Sequence, residues 1–200
     1  MPMRNLAMNF DVFELVLVVL VVFTYWPAIR GGWVFDDWAI NDDEADFQKS
    51  LAWRLRFIAA ELRRPFRFGG GAARWFTYLV YHVTYKVWGF RPAAWHGVSI
   101  AMHAAAVVIL HRLTLLWGFG PGQAAGAAAV FALHPLQVGS VAYVSGRPGL
   151  QSLLLTFAGL YTFALGAWPA SIVFQYLAWR SKEDSIIYVA FYPIAFYLFG

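Results

Sequence analysis

Asp36 and Asp37 follow directly on the string Gly31-Gly32-Trp33-Val34-Phe35. Adjacent carboxylates can hold a divalent metal, and either one can take a proton from a hydroxyl as a general base. The plainer reading is a solvated acidic turn, since Asp42, Asp43, Glu44 and Asp46 follow closely. His96, His103 and His111 recur at i, i+7 and i+15, which confines them to about 80° of one helix face. Such a face suits a haem or pigment, or else polar residues lining a helix bundle. A b-type haem needs a second His from another helix, and the apolar runs after His134 contain none. Lys182-Glu183-Asp184 interrupts two apolar runs. At membrane depth such charges are costly and usually functional, whereas in a short exposed loop they are ordinary. The chain has no P-loop, no Rossmann-type glycine turn and no Gly-x-Ser-x-Gly elbow. With no Cys it has no disulfide, thiolate metal site or Cys nucleophile.

The elements that must position these residues are membrane elements. Of the 200 residues, 60% are hydrophobic and 13% charged, against roughly 45–50% and about 25% in soluble domains. Mean hydropathy is +0.56. That excludes intrinsic disorder and argues against a soluble domain of this size. The net charge of +4 fits anionic phospholipid or lipid phosphate at least as well as nucleic acid.

A first apolar run over residues 10–29 is long enough to cross the ~30 Å hydrocarbon core. Tyr25-Trp26-Pro27 reads as an interfacial anchor, and with no cleavage site following it the run reads as an uncleaved helix. Residues 30–92 then read as a long polar loop. Eight of the fifteen basic residues lie between Arg30 and Arg74. Within it, Phe47, Leu51, Leu55 and Ile58 predict the apolar stripe of an amphipathic helix on the membrane surface, with Lys49, Arg54 and Arg56 away from that stripe. Gly69-Gly70-Gly71 predicts a flexible break. Trp75–Trp88 is short for a span and reads as interfacial or re-entrant. Residues 93–200 predict the remaining spans: Trp95–Trp117, the Ala/Gly-rich Gln123–Leu133, Leu150–Leu165, Trp168–Trp179 and Ile186–Phe199. The fold class is an all-α polytopic membrane protein, a single transmembrane domain over 1–200 with about six transmembrane helices and amphipathic surface helices in the first loop. An apolar run that stops at Gly200 without a polar tail reads as the start of a longer protein.

Six strings, taken in order, resemble the GT-C fold membrane glycosyltransferases, and within them the O-mannosyltransferases that carry tetratricopeptide repeats. Gly32-Trp33-Val34-Phe35-Asp36-Asp37-Trp38-Ala39-Ile40 is similar to that family's F-x-x-D-D-x-x-x-I after the first helix. Arg74-Trp75-Phe76 stands for an Arg-Pro-Leu step. Trp88-Gly89 with His96, Ser99 and His103 is similar to W-G…H-x-x-N-x-x-x-H. Phe131-Ala132-Leu133-His134-Pro135 is similar to F-A-x-H-P-x-x-x-E. Ser145-Gly146-Arg147 matches a Gly-Arg step, and Ser181-Lys182-Glu183 matches Ser-Lys-Glu. The chain departs from the pattern at three places: Gly139 stands for Glu, Gly149 for Asp and Ser99 for Asn.

The resemblance implies the N-terminal half of a GT-C scaffold, in a bacterial inner membrane or an ER-type membrane. The first loop would lie on the outer, periplasmic or lumenal, side with Trp75–Trp88 as a surface helix, and Arg112 would be cytoplasmic. It also implies transfer of a mannose-like sugar from a polyprenyl-phosphate donor to a hydroxyl. Asp36 and Asp37 would be catalytic, with a divalent metal near them as an option. Arg74, Lys182 and Arg147 would hold the donor phosphate. His96, His103, His134 and Glu183 match motifs without an assigned role. The alternative is a non-catalytic subunit that packs the degenerate scaffold against partner membrane proteins.

Overall fold

The computed structural model describes residues 12–34, 36–42, 44–63 and 74–199. The start of the expected first helix at residues 10 and 11, Phe35, Asp43 and the Gly69-Gly70-Gly71 break lie outside the described residues. Among those described, every regular element is helical. In order they are α1 (Val12–Ile29), α2 (Asp37–Asp42), α3 (Glu44–Gln48), α4 (Leu51–Leu62), α5 (Trp75–Trp88), α6 (Pro92–Leu116) and α7 (Pro121–Leu133). A 3-10 turn (Pro135–Gln137) leads to α8 (Val138–Val141), α9 (Arg147–Ala164) and α10 (Trp168–Trp179). A 3-10 segment (Glu183–Ala190) then runs into α11 (Phe191–Phe199).

Helix α6 is the hub: it packs on α1, α7 and α9, and α9 in turn packs on α10. On α7 the small buried residues recur as Ala124, Ala128 and Ala132, a spacing of four that lets two backbones approach closely. The main core joins Leu17, Val21 and Tyr25 of α1 to Ile100, Ala104 and Val107 of α6 and to Leu150 of α9. Everywhere else α1 turns apolar residues outward: Phe13, Val16, Val19, Phe23 and Trp26 are all exposed. A helix whose outward face is this apolar suits contact with lipid. Short turns reverse the chain between consecutive long helices. Gly118 and Gly166, just past α6 and α9, take φ of +82° and +76°, where a side chain would be strained.

The expected count of six spans is not reproduced. Among the described residues two helices, α1 and α6, are long and apolar enough to cross a membrane, or three if α7 and the 48°-bent Pro135–Val141 segment form one span. That suffices for membrane association. Helix α10 has 12 residues and α11 has 9, about 18 and 14 Å at 1.5 Å per residue, short of a ~30 Å core.

The first loop also corrects the expected amphipathic stripe. The chain breaks at Lys49-Ser50, where the Ser50 side chain accepts from Trp53 N and caps α4. Phe47 and Ile58 are buried, whereas Leu51 and Leu55 face outward and Arg54 and Glu61 face inward. Helix α5 spans Trp75–Trp88 as the sequence predicts. Beneath the loop lies a second, aromatic core of Phe47, Tyr81, Trp95 and Val144, with Trp33, Tyr85 and Phe90 against it.

Candidate functional site

The two aspartates part ways at the start of α2. Asp37 is fully buried. Its Oδ1 accepts from Ser145 N at 2.7 Å and its Oδ2 from Val34 N at 3.3 Å. It therefore ties the first loop to the turn before α9, 108 residues away. Asp36 is exposed. It lines a cleft of about 380 Å³ with Gly139, Tyr143, Ser145 and Gly146. A carboxylate there is open to an incoming hydroxyl, whereas Asp37 has both oxygens engaged. Among the described residues no group of three or more His, Asp or Glu is gathered as metal ligands. Asp37 is already held by two backbone N–H groups, which leaves Asp36 as the exposed member of the pair.

The turn on which this cleft rests is tight. A Cβ on Gly146 would stand 2.1 Å from the Gly139 carbonyl oxygen, so only glycine permits that approach. Gly139 itself faces open space. Position 139, where the resembled pattern has Glu, thus lies on the wall of the Asp36 cleft with room for a side chain.

Arg147, next along, faces the interior and is fully buried. Its Nε donates to Ser99 Oγ at 3.0 Å and its Nη2 to the Trp95 carbonyl at 2.6 Å. The guanidinium lies over the rings of Tyr81 and Trp95 at 5.1 and 5.2 Å. Tyr81, which sequence reasoning missed, donates its hydroxyl to the Val144 carbonyl at 2.8 Å. Burial pushes that phenol up from its ordinary pKa. No motif announces Tyr81; only the docking of α5 on the turn at Val144 makes it part of the site.

On the other flank, the Arg74 guanidinium grips Glu183 with two hydrogen bonds of 2.7 Å. That pairing holds the Glu183 carboxyl down to about 2. Phe76 N donates to the Arg180 carbonyl and Thr77 Oγ1 to the Ser181 carbonyl, which seats the first turn of α5 on the end of α10. Lys182 pairs with Asp184 at 3.2 Å, with both side chains substantially exposed. Its Nζ is 3.8 Å from where a Cβ on Gly149 would sit. An Asp at 149, as in the resembled pattern, would meet this lysine.

The three histidines of α6 are buried and held separately. His96 Nε2 faces the Gly32 carbonyl at 3.4 Å, and His103 Nε2 the Ala132 carbonyl at 3.1 Å. Since a carbonyl only accepts, both Nε2 atoms carry the hydrogen in this arrangement. His111 Nδ1 lies 3.6 Å from Glu14 Oε1 at the opposite end of the bundle. His134 is exposed, and its Nδ1 accepts from Leu136 N, which caps the 3-10 turn. Each of the six motif strings therefore contacts another: residues 32–40 meet Ser145 and His96, His103 meets Ala132, Arg147 meets Ser99, Gly149 adjoins Lys182, and Arg74 meets Glu183.

No family model and no solved structure matches the chain. It is 26% identical over 164 residues to "Protein O-mannosyl-transferase TMTC3" of Homo sapiens, covering 80% of this chain and 18% of that protein. The Mus musculus protein of the same name is 26% identical over 159 residues, covering 78% of this chain and 17% of that protein. "Protein O-mannosyl-transferase Tmtc2" of Drosophila melanogaster is 29% identical over 157 residues, or 74% and 16% of the two chains. The chain spans less than a fifth of the length of the curated relatives it matches. Over about three-quarters of its residues the chain is similar in sequence to proteins named O-mannosyl-transferases.

Proposed function

We propose that the chain is a GT-C-like glycosyltransferase module that transfers a mannose-like sugar from a polyprenyl-phosphate donor to an acceptor hydroxyl on the outer membrane face. One observation carries this reading: motif strings far apart in sequence converge at one end of the bundle, around a cleft whose exposed carboxylate is Asp36. In this scheme Asp36 accepts the acceptor's proton as its oxygen forms a bond to the sugar's anomeric carbon. The bond from that carbon to the phosphate oxygen breaks, and the prenyl phosphate leaves with the electron pair. Lys182 and Arg74 would supply the cations that stabilise the departing phosphate. Asp37 and Arg147 are positioning residues: Asp37 ties the loop to Ser145, and Arg147 locks that turn to α6. The same reading takes α7, α9, α10 and residues 186–199 as further, shorter spans beside α1 and α6.

A second reading is favoured by Gly139, which leaves the cleft without a side chain where relatives of the pattern carry Glu. A non-catalytic subunit on the same scaffold would pack against partner membrane proteins. The test is sugar transfer by purified protein in nanodiscs from a polyprenyl-phosphate mannose. Asp36→Asn is expected to lower transfer about 100-fold or more with no change in thermal midpoint, while Asp37→Asn lowers both. Unchanged transfer in Asp36→Asn removes that carboxylate from the mechanism. A wild-type protein that transfers nothing, binds no prenyl phosphate and elutes with stoichiometric membrane partners supports the second reading.

A further inference from the structure

Helix α4 packs on the protein with the face that water would normally hold. Its buried positions are Arg54, Ile58 and Glu61, two of them charged. Its leucines point the other way: Leu51, Leu55 and Leu62 are 45, 51 and 48% exposed. Around the helix, Leu51, Leu62, Leu55, Ala59 and Ala52 fall within about 100° of one another. All five are exposed, so the apolar stripe runs unbroken along α4. A surface helix in water turns its apolar stripe inward and its charges out. A helix packed the other way round needs an apolar medium along its outer stripe.

Two observations identify that medium. Arg56 and Arg63 are exposed and lie within about 40° of the edge of the stripe. Neither forms an ion pair among the described residues. Cations bordering an apolar stripe are complementary to anionic headgroups above an acyl layer. The second observation is the place of α4 in the fold. It packs on α5, and α5 meets the first turn of α6 through Tyr81 and Trp95, whose rings are 5.4 Å apart. Helix α6 is a candidate span, so its first turn belongs at a membrane face, with α4 one helix away. At 12 residues α4 is too short to cross.

We propose that α4 lies in the plane of the membrane, with Leu51, Leu55, Ala59 and Leu62 in the acyl layer and Arg56 and Arg63 on anionic lipid phosphates. The proposal stands apart from the sugar-transfer reading. Its consequence is a fixed height for the first loop. Helix α4 holds α5, the Tyr81 hydroxyl of α5 donates to the Val144 carbonyl, and the next residue gives its N–H to Asp37. The depth of the Asp36 cleft in the interface is thereby set by a helix outside its described lining.

The experiment uses the full chain in nanodiscs of phosphatidylcholine, or of phosphatidylcholine and phosphatidylglycerol in equal parts. The chain has no cysteine, so Leu55→Cys and Ala60→Cys can each carry a single bimane. Both positions are exposed, and they stand about 140° apart around the helix, so both variants should keep the wild-type thermal midpoint. Doxyl-labelled lipid is expected to quench the probe at 55 several-fold more than the probe at 60, and iodide to do the reverse. Phosphatidylglycerol should raise lipid quenching at 55 about twofold, and Arg56→Gln/Arg63→Gln should abolish that rise. Quenching at 55 by iodide alone would place α4 in water. Protection of 55 from both quenchers would mean that a second copy or a partner protein covers the stripe. Equal lipid quenching at 55 and 60 would leave the helix without a lipid-facing side. Each of these three results overturns the proposal, and indifference to phosphatidylglycerol overturns the arginine contact.

Discussion

At the scale of single residues, the sequence places two carboxylates side by side and the fold assigns them opposite surroundings. Consecutive residues at a helix start point in different directions, so one can face the cleft while the other caps the turn. Asp37 accepts two backbone N–H groups in the interior, a role that needs an acceptor. Glu183 carries the clearest pH dependence. Its folded pKa, about 2, lies below the ordinary 4.5 because Arg74 binds the carboxylate. A depressed carboxyl stabilises the fold above its unfolded pKa, and that contribution is lost as pH falls from about 5 toward 2. Both side chains are partly exposed, 36% for Arg74 and 28% for Glu183, so solvent screening holds the contribution to about 1 kcal/mol. Thermal midpoints of wild type and Glu183→Gln should therefore differ above pH 5 and converge near pH 2. A constant gap across that range would show that the pair does not titrate with the fold.

At the scale of elements, α1 and α6 are clasped at the end away from the Asp36 cleft. Glu14 is almost fully buried in α1 and accepts from Arg112 Nε and Nη2 at 2.6 and 2.7 Å. The positions are 98 residues apart, and Glu14 reads in sequence as a stray acid at the start of an apolar run. Removing one partner of a buried pair leaves the other charge stranded, at about 3–5 kcal/mol. Arg112→Met is expected to destabilise the protein by that order in SDS or heat unfolding. The double variant Glu14→Gln/Arg112→Met should recover most of the loss, since an apolar replacement of the whole pair is often neutral. A double variant as unstable as the single one would mean that Arg112 acts through packing instead. Helix α4 teaches a related lesson. Its leucines follow a clean helical spacing, yet the face that packs is Arg54, Ile58 and Glu61. Spacing identifies a stripe, but an apolar stripe next to a membrane need not turn toward protein.

At the scale of the molecule, the question is how many helices cross. By length and composition, α1 and α6 are candidates among the described residues, with a third if α7 and its bent continuation form one span. The chain has no cysteine, which makes single-cysteine mapping direct. Leu136→Cys and Asp184→Cys lie in exposed turns at the cleft end, and Phe119→Cys and Leu165→Cys in exposed turns at the clasp end. If α7, α9 and α10 each cross, a membrane-impermeant maleimide added to the outer face labels the first two and reaches the last two only after permeabilisation. Equal labelling of Leu165→Cys and Asp184→Cys from one side would mean that α10 does not cross.

What the sequence determines by itself is local and compositional. The apolar excess specifies a membrane chain, because too few polar residues exist to cover a soluble surface. The C-terminal limit of Trp75–Trp88 follows from Gly89, and the six strings mark which stretches matter. Which members of those strings meet, and which way each one faces, was decided only by tertiary structure. Asp36 is open because Asp37 is pulled inward by Ser145. Arg147, basic and motif-matched, turns away from the cleft because Trp95, Ser99 and Tyr81 offer it a buried seat. Arg74 is already engaged because α5 docks on the end of α10. Each of these outcomes depends on contacts between residues 48 to 109 positions apart. Their geometry comes from how helices pack side by side, and no periodicity along the chain encodes it.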